Sequence, residues 1–526
     1  MRIAVLELLT DEPVRSWTEK PYAAYFRRQF VSIMPQVVSV WCRQLGHSVH
    51  YATYYGQADP LSLLPSELDI VFIATYTQAS ALSYALAKIF RRRRVRTVIG
   101  GPHAKAFPAD CLRFFDVVVK DCDKTLIGEI LRDRVSPPVV VSSGRALTEL
   151  PSVAERMPEI AAAAFSRGRP MLTSLVPMLS GLGCPYSCSF CIDWNTDYAP
   201  LPRERLRADL EYLATYYPQV LIGYHDPNFG IRFDETMDTI ESVRARRRNR
   251  YIMESSLSVL KPDRLHRLKS TRCVYVAPGI ESWMAYSNKA AVGARRGSDK
   301  LAEVVRQFRA IRNYVPGLQA NFLFGSDEDQ GQEPAELTKE FIRRAPFVFP
   351  TINIPTPFGG TPMFDRLLAE GRVLRSMPFA LYYNPYLAIV PRHYEPAAYY
   401  GHLVDIYATA TSVVALARRA LEPAPAALRF IHELRSFALR REMAEFKRLQ
   451  DRLTADRSFQ AFHEGRSAAL PTHYWHLVRG RLGRYADLLS EHDLLPMLPE
   501  PSGRPGVPIR GNALTPVRGR DLGALA

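Results

Sequence analysis

Apolar and polar positions along the first 145 residues alternate between two patterns. Short apolar runs that suit buried strands stand at 3–8, 49–54, 69–74, 96–99 and 115–119. Between them lie stretches with helical spacing at 31–45, 79–90 and 126–131, the first ending at Gly46, a natural helix stop. Such alternation predicts a parallel sheet with helices on both faces, and ligands at the carboxyl ends of its strands. Residues 146–170 hold Pro151 and Pro158 and few strand signals, and read as a connector. The alternation resumes over 171–375, with strand candidates at 172–179, 220–225, 251–256, 274–280, 320–324 and 352–355. Six strands, most followed by helical segments, predict a partial or full β/α barrel. Residues 376–497 read as mostly helical. Residues 498–526, rich in Gly, Pro and Arg without an apolar period, read as a disordered tail. The expected fold is therefore α/β: a doubly wound, Rossmann-like domain over 1–145, a barrel-type core over 171–375, and a helical C-terminal region.

Composition narrows the class. The chain has 526 residues, 47% hydrophobic and 23% charged, with 29 Gly and 40 Pro, which excludes collagen-like, wholly disordered and small disulfide-scaffold proteins. No charge-free apolar run reaches the roughly 18 residues of a spanning helix; the best, 403–417, is interrupted by Asp405. The N-terminus reads as a first strand and lacks a signal-peptide pattern, so a cytoplasmic location is expected, with peripheral membrane contact left open. Lys and Arg number 68 against 53 Asp and Glu, a net charge of +15 that favours anionic partners. The basic run Arg91-Arg92-Arg93-Arg94, and the cluster Arg244, Arg246, Arg247, Arg248 and Arg250, each end a helical segment. Cations there suit the helix dipole, the plainer reading beside a binding patch. Seven cysteines without a secretory signal do not form a disulfide framework. Cys42, Cys111, Cys122 and Cys273 are scattered; Cys184, Cys188 and Cys191 are clustered.

The cluster stands in Gly181-Leu182-Gly183-Cys184-Pro185-Tyr186-Ser187-Cys188-Ser189-Phe190-Cys191, a C-x3-C-x2-C spacing on a loop after a strand. Soft thiolates suit zinc or iron–sulfur clusters. Structural zinc takes four ligands, usually from CxxC pairs or paired His, and this loop has neither. Three thiolates on one tight loop suit a four-iron four-sulfur (4Fe-4S) cluster with one iron left open. On these residues the chain resembles the radical S-adenosylmethionine (SAM) superfamily, in which an aromatic residue such as Phe190 lies beside the SAM adenine. The resemblance implies that Cys184, Cys188 and Cys191 hold the cluster and that the open iron chelates SAM. It further implies that an external donor such as flavodoxin or ferredoxin supplies the electron, and that a 5′-deoxyadenosyl radical abstracts hydrogen from an unactivated carbon. Strand-end motifs add weaker candidates for the SAM amino group and ribose: Asp226 in His225-Asp226-Pro227-Asn228-Phe229, Glu254 and Ser256 in Glu254-Ser255-Ser256, and Glu281 in Gly279-Ile280-Glu281-Ser282. Each alone reads equally as a loop cap or surface carboxylate. The loop Pro357-Phe358-Gly359-Gly360-Thr361-Pro362 matches a family loop and is given no chemical role.

A doubly wound domain ahead of such a core resembles the cobalamin-binding domain of the cobalamin-dependent subgroup. The matching features are Leu45-Gly46-His47 before a strand, the polar strand end Thr75-Tyr76-Thr77, and Gly100-Gly101-Pro102-His103, where absent Cβ atoms let a large ligand approach the backbone. Thr75, Thr77, Gly100, Gly101, Pro102 and His103 are the implied cobalamin contacts. The Asp-x-His-x-x-Gly motif that supplies a lower axial His elsewhere is absent, and Lys120-Asp121-Cys122-Asp123 stands where relatives carry a Gly-Glu repeat. An aromatic stretch at 10–30 (Trp17, Tyr22, Tyr25, Phe26) is a candidate cover for the corrin or a surface excursion.

The resemblance implies a cobalamin-dependent radical SAM enzyme, foremost a C-methyltransferase, with cyclisation or rearrangement on the same domain plan as the alternative. A tRNA methylthiotransferase would need a second three-cysteine set, and a metal-stabilised nucleic-acid-binding protein a closed zinc site with base-stacking aromatics; nucleic acid is not the expected partner. The substrate is left open among small molecules, lipids and peptides. Tyr382, Tyr383, Tyr386, Tyr394, Tyr399, Tyr400 and Trp475 read first as core and second as cavity wall. His393, His402 and His473 read as structural or exposed, and no catalytic base is assigned.

Overall fold

The computed structural model describes residues 1–14, 19–144, 147, 149–285 and 288–500. Trp17 and the tail from 501 onward lie outside the described residues.

Strands β1 (Arg2–Leu8), β2 (Ser48–Tyr54), β3 (Ile70–Thr75), β4 (Arg96–Gly100), β5 (Val117–Asp121) and β6 (Val139–Ser142) form one sheet in the order β2-β1-β3-β4-β5-β6. Every pair is parallel. Side chains alternate between faces, and both faces are apolar. Ile3, Val5, Ile70, Phe72 and Val98 pack with the helices Ile33–Gln44 and Lys124–Leu131. Ala4, Leu6, Val71, Ile73 and Ile99 face the helix Ser80–Arg92. This is the doubly wound domain the pattern predicts, with one strand more than the five runs indicated. β6 is a half-buried edge strand directly after Pro137-Pro138, which masks its signal.

The stretch read as connector is not irregular. It contains the helix Val153–Ala164, started by a capping box between Ser152 and Glu155. Pro158 lies inside this helix, which is why the stretch scans as broken. Its Glu159 accepts from Ser39 Oγ at 2.8 Å, and buried Arg156 donates to Gln36 Oε1 at 2.8 Å and to the Pro177 carbonyl at 3.2 Å. One helix thus binds the first sheet to the first strand of the second.

That second sheet orders β7 (Leu175–Met178), β10 (Leu221–Tyr224), β11 (Arg250–Ser255), β12 (Cys273–Glu281), β13 (Gly317–Leu323) and β14 (Val348–Asn353) as β14-β13-β12-β11-β10-β7, all parallel. Between β7 and β10 stands an antiparallel hairpin of β8 (Gly181–Cys184) and β9 (Thr196–Pro200). Val276, Ile280, Leu318, Ala320 and Phe322 are buried in the core shared with the covering helices. The alternate residues Tyr275, Glu281, Gln319, Asn321 and Thr351 are only partly covered and line the inner face.

The C-terminal region is helical, with Pro396–Ala410, Val413–Leu421, Ala426–Ala455, Arg457–His463 and Thr472–Leu482. Its tyrosines are mainly core. Tyr382, Tyr386, Tyr394, Tyr399 and Tyr400 are buried, whereas Tyr383 and Trp475 are half-buried. Tyr399 OH donates to the Phe324 carbonyl at 2.7 Å and Tyr400 OH to that of Pro385 at 2.8 Å. Among the described residues no helix is long and apolar enough to cross a membrane. The basic cluster after 243 caps a helix: Arg248 Nε donates to the Val243 carbonyl at 2.7 Å.

The two sheets meet at one tight point. The helix Pro102–Ala106, which follows β4, lies so close to the loop after β14 that a Cβ on Gly359 would stand 2.0 Å from the Ala106 carbonyl oxygen. Gly359→Ala is therefore expected to cost about 1–3 kcal/mol of stability through overpacking, read as a lowered Tm. An unchanged Tm would show that the two domains do not touch there.

Candidate site at the cysteine loop

The loop is built from its base upward. At the end of β7 the backbone N–H groups of Ser180 and Gly181 donate to the buried carboxylate of Asp226, at 3.0 and 2.7 Å, and Ser180 Oγ donates at 2.5 Å. Burial pushes the Asp226 carboxyl up to about 6, against these hydrogen bonds. Asp226 was a candidate for SAM contact, but the structure spends its oxygens on the base of the hairpin. Gly183 follows with φ +70°, and a Cβ there would stand 2.1 Å from the Asp197 carbonyl oxygen of the facing strand. Only glycine closes the hairpin at this point.

Cys184 is buried, and Cys188 and Cys191 are half-buried; all three thiols are free. Cys191 N–H donates to the Cys188 carbonyl at 3.0 Å, tightening the loop. A chain of side chains then ties it to the sheet: Asn228 Nδ2 to Ser256 Oγ at 3.3 Å, Ser256 Oγ to Ser258 Oγ at 2.9 Å, and Ser258 Oγ to Tyr186 OH at 2.7 Å. Ser256, also a SAM candidate, belongs to this relay. Met363 N–H reaches the Ser189 carbonyl at 2.9 Å and Trp194 Nε1 the Gly360 carbonyl at 2.7 Å. The loop that earned no chemical role from sequence is therefore a clamp on the cysteines. Phe190 is half-buried against the core.

Opposite the loop stand Glu254, Glu281 and Lys289. Glu254 still meets solvent, yet enough protein surrounds it that burial raises its carboxyl above the ordinary range, with Lys289 pulling the other way. Glu281 is raised by burial too, opposed by Lys289 and Lys300 and helped by the charge of Glu254. Burial pulls Lys289 down, but Cys188 and Glu281 together carry it above its ordinary value. Burial also raises the Cys188 and Cys191 thiols, and Lys289 favours their thiolates. Glu281 sits at φ +62° on a register shift of β12. The turn after it is held by Lys300, whose Nζ donates to the Ser282 carbonyl at 2.5 Å, and by Ser282 Oγ donating to Asp329 at 2.5 Å. Lys289 was not singled out by sequence reading. It lies in a short 3-10 turn with no motif around it, and only the fold brings it to the thiols.

Among the described residues no group of three His, Cys, Asp or Glu side chains is placed to hold a single metal ion. Three thiolates that each serve a different iron of a cubane do not have to converge on one point, so the soft, three-thiol donor set fits an iron–sulfur cluster. Cys42 and Cys111 lie in the cores on opposite faces of the first sheet, so they do not join a second cysteine cluster.

On the N-terminal side, Gly101 has φ +92°, and a Cβ there would stand 3.0 Å from the Thr75 backbone. Gly100 meets nothing closer than 3.9 Å, and Pro102 opens the following helix. Thr75 is buried with Oγ1 donating to the Tyr76 carbonyl at 3.0 Å, and Thr77 is also buried. His103 departs most from expectation. It is fully buried, burial pushes it down to about 3, and its Nε2 lies 2.6 Å from Tyr84 OH, which donates to Asp110 at 2.5 Å. Its ring packs against Phe107 and Phe379, and its Nδ1 has no protein partner. Sequence reading also missed Asp11, buried just after β1 and pushed up to about 7 by burial, with Arg481 Nη1 3.9 Å away. Lys105 Nζ, on the helix after β4, meets Asp193 of the cysteine loop at 3.3 Å.

A parallel sheet carrying a clamped three-cysteine loop at the exit of its first strand defines a radical SAM core. Residues 178–341 match the model of the Radical SAM superfamily. It is similar to bacteriochlorophyllide d C-8(2)-methyltransferase of Chlorobaculum tepidum, 24% identical over 369 residues, 65% of this chain and 77% of that protein. It is also similar to bacteriochlorophyllide d C-12(1)-methyltransferase of the same organism, 23% identical over 314 residues, 57% of this chain and 66% of that protein. It shares its fold with a solved cobalamin-dependent S-adenosylmethionine radical enzyme, OxsB, with aqua-cobalamin bound: TM-score 0.56 and 11% identity over 92% of this chain and 80% of that one.

Asp226→Ala would leave two buried N–H groups unpaired, at about 1–3 kcal/mol each. The expected result is a chain that folds with a lowered Tm and retains less iron after anaerobic reconstitution. Full iron content would show that the hairpin holds its shape without this carboxylate.

Proposed function

We propose that this chain is a cobalamin-dependent radical SAM C-methyltransferase. In this reading Cys184, Cys188 and Cys191 would hold a 4Fe-4S cluster, Phe190 on that loop and Glu254 and Glu281 opposite it would hold SAM, and Thr75, Thr77, Gly100, Gly101 and Pro102 at the carboxyl edge of the first sheet would hold cobalamin. When bound, the cluster supplies the electron that cleaves SAM and the corrin supplies the methyl carrier. The observation that carries the reading is the junction. Lys105, on the helix after β4, pairs with Asp193 of the cysteine loop, and Gly359 meets Ala106 on that same helix. The ligand edge of the first sheet and the cysteine loop of the second are thereby held as neighbours, as transfer between two bound groups demands.

The protein's own residues bind and orient. Lys289 offsets negative charge at the thiolates. Glu254 and Glu281 are acceptors for an ammonium or for ribose hydroxyls. The substrate is a small organic molecule seated over the inner face, whose floor is a hydrogen-bonded set of Asn321, Gln319 and Tyr275 closed at its far end by Arg435 (Gln319 to Asn321 at 2.6 Å, Tyr275 OH to Gln319 at 3.1 Å, Arg435 to Gln319 at 2.7 Å). The hydroxyl of Thr351, on the same face, is buried without a protein partner. Methyl transfer is favoured by the names of the two similar proteins. His103, locked to Tyr84, supplies no axial ligand in this reading.

Replacing any one of Cys184, Cys188 or Cys191 with Ala is expected to abolish 5′-deoxyadenosine formation from SAM, with cobalamin content unchanged, measured on reconstituted protein with a chemical reductant. Turnover that persists in the triple variant would overturn the cluster assignment.

A further inference from the structure

The helices Val413–Leu421 and Ala426–Ala455 form a hairpin with two unlike sides. The inner side is anchored. Arg419 donates to Ser436 Oγ at 2.6 Å, and Arg435 reaches into the second sheet to Tyr275 OH at 2.5 Å and Gln319 Oε1 at 2.7 Å. Arg435 also stacks on Phe349 at 3.9 Å, and Glu422 pairs with Arg312. The outer side is bare. Of the thirteen large apolar side chains exposed among the described residues, five lie between 413 and 437: Val413 (78%), Val414 (60%), Leu421 (83%), Phe430 (68%) and Phe437 (62%). Helical periodicity puts Phe430 and Phe437, two turns apart, opposite the anchored Arg435, and puts Val414 and Leu421 opposite Arg419. The concentration is too high for stray surface apolar residues.

Charge selects what covers this face. Along 413–441, where the exposed apolar side chains lie, Arg418, Arg429, Arg440 and Arg441 are exposed and the carboxylates Glu422 and Glu433 are half-buried; the exposed Asp451 stands further along the second helix. Arg441 also bonds Glu19 at 3.1 Å, which brings the exposed Tyr22 and Tyr25 of the helix Glu19–Tyr25 to its neighbourhood. Aliphatic and aromatic side chains rimmed by arginines, with no exposed acid between 413 and 441, match the interfacial zone of an anionic bilayer. A nucleic-acid surface would call for stacking rings in place of Val413, Val414 and Leu421. We propose that this hairpin docks the protein on an anionic lipid bilayer, with the apolar residues entering the headgroup boundary and the arginines pairing with lipid phosphates. No helix spans the membrane in this mode.

The test is co-sedimentation of the anaerobically purified full chain with phosphatidylglycerol/phosphatidylcholine vesicles and with pure phosphatidylcholine vesicles, at low and high salt. The expected result is binding to the anionic vesicles that weakens on neutral ones and falls as salt rises. Phe430→Glu together with Phe437→Glu should reduce binding by about tenfold or more, with an unchanged circular dichroism spectrum. Val414→Asp together with Leu421→Asp, on the other helix, should do the same and stands in should the first pair misfold. Wild-type protein that stays in the supernatant with both vesicles overturns the proposal. So does a wild-type dimer by light scattering that these variants make monomeric, which would assign the face to a second copy. Retention by single-stranded RNA in place of vesicles likewise overturns it.

Discussion

The carboxylate of Asp226 is the pin on which the candidate site turns. It is buried, it accepts from two consecutive backbone N–H groups and one hydroxyl, and it does so where the first strand of the second sheet hands over to the cysteine hairpin. A loop with three thiols has little apolar surface to bury and no regular ladder beyond β8 and β9. Its geometry must therefore come from directed bonds. Those bonds are the Asp226 base, the Asn228–Ser256–Ser258–Tyr186 relay, and the clamp from Gly360 and Met363. Preorganisation of this sort fixes the thiols before any cluster binds.

The same loop is shared with the other domain. Lys105 pairs with Asp193 across the junction, and Ala106 and Gly359 meet with no room for a side chain. The helix Val153–Ala164 makes the second bond between the domains, through Arg156 and Glu159. The molecule is thus two parallel sheets whose carboxyl edges meet at this junction, with a helical region whose tyrosines pack beside the second sheet, Tyr399 on the Phe324 carbonyl. In the proposed function each sheet holds one large cofactor, and the junction sets the distance over which a methyl group passes.

Most of this architecture was legible in the sequence because it rests on periodicity. Runs such as Ile3-Ala4-Val5-Leu6 alternate between two apolar faces, and helical spacing between runs leaves little but a doubly wound sheet. The cysteine spacing was legible because three thiolates at fixed short separations have few physical uses. What escaped was whatever depends on tertiary meeting. Lys289 stands far along the chain from the cysteines it faces. Asp226 sits at a strand end in the position of a ligand-binding carboxylate, and only its buried hydrogen bonds show that it holds the hairpin instead. His103 follows a Gly-Gly-Pro turn that invites a ligand, but its ring turns inward to Tyr84. Pro158 hid a helix because an interior proline reads as a break, although the capping box at Ser152 was there to be seen.

The central claim is that the two ligand edges serve two cofactors, and the amount of cobalamin retained tests it most directly. The chain is purified anaerobically from cells supplied with cobalamin, and corrin is measured per chain alongside the visible spectrum. The account predicts close to one equivalent of cobalamin, in a base-off form because the ring of His103 is fully buried with its Nε2 on Tyr84 OH. A chain that binds iron and cleaves SAM but holds no corrin, even after reconstitution, would contradict it.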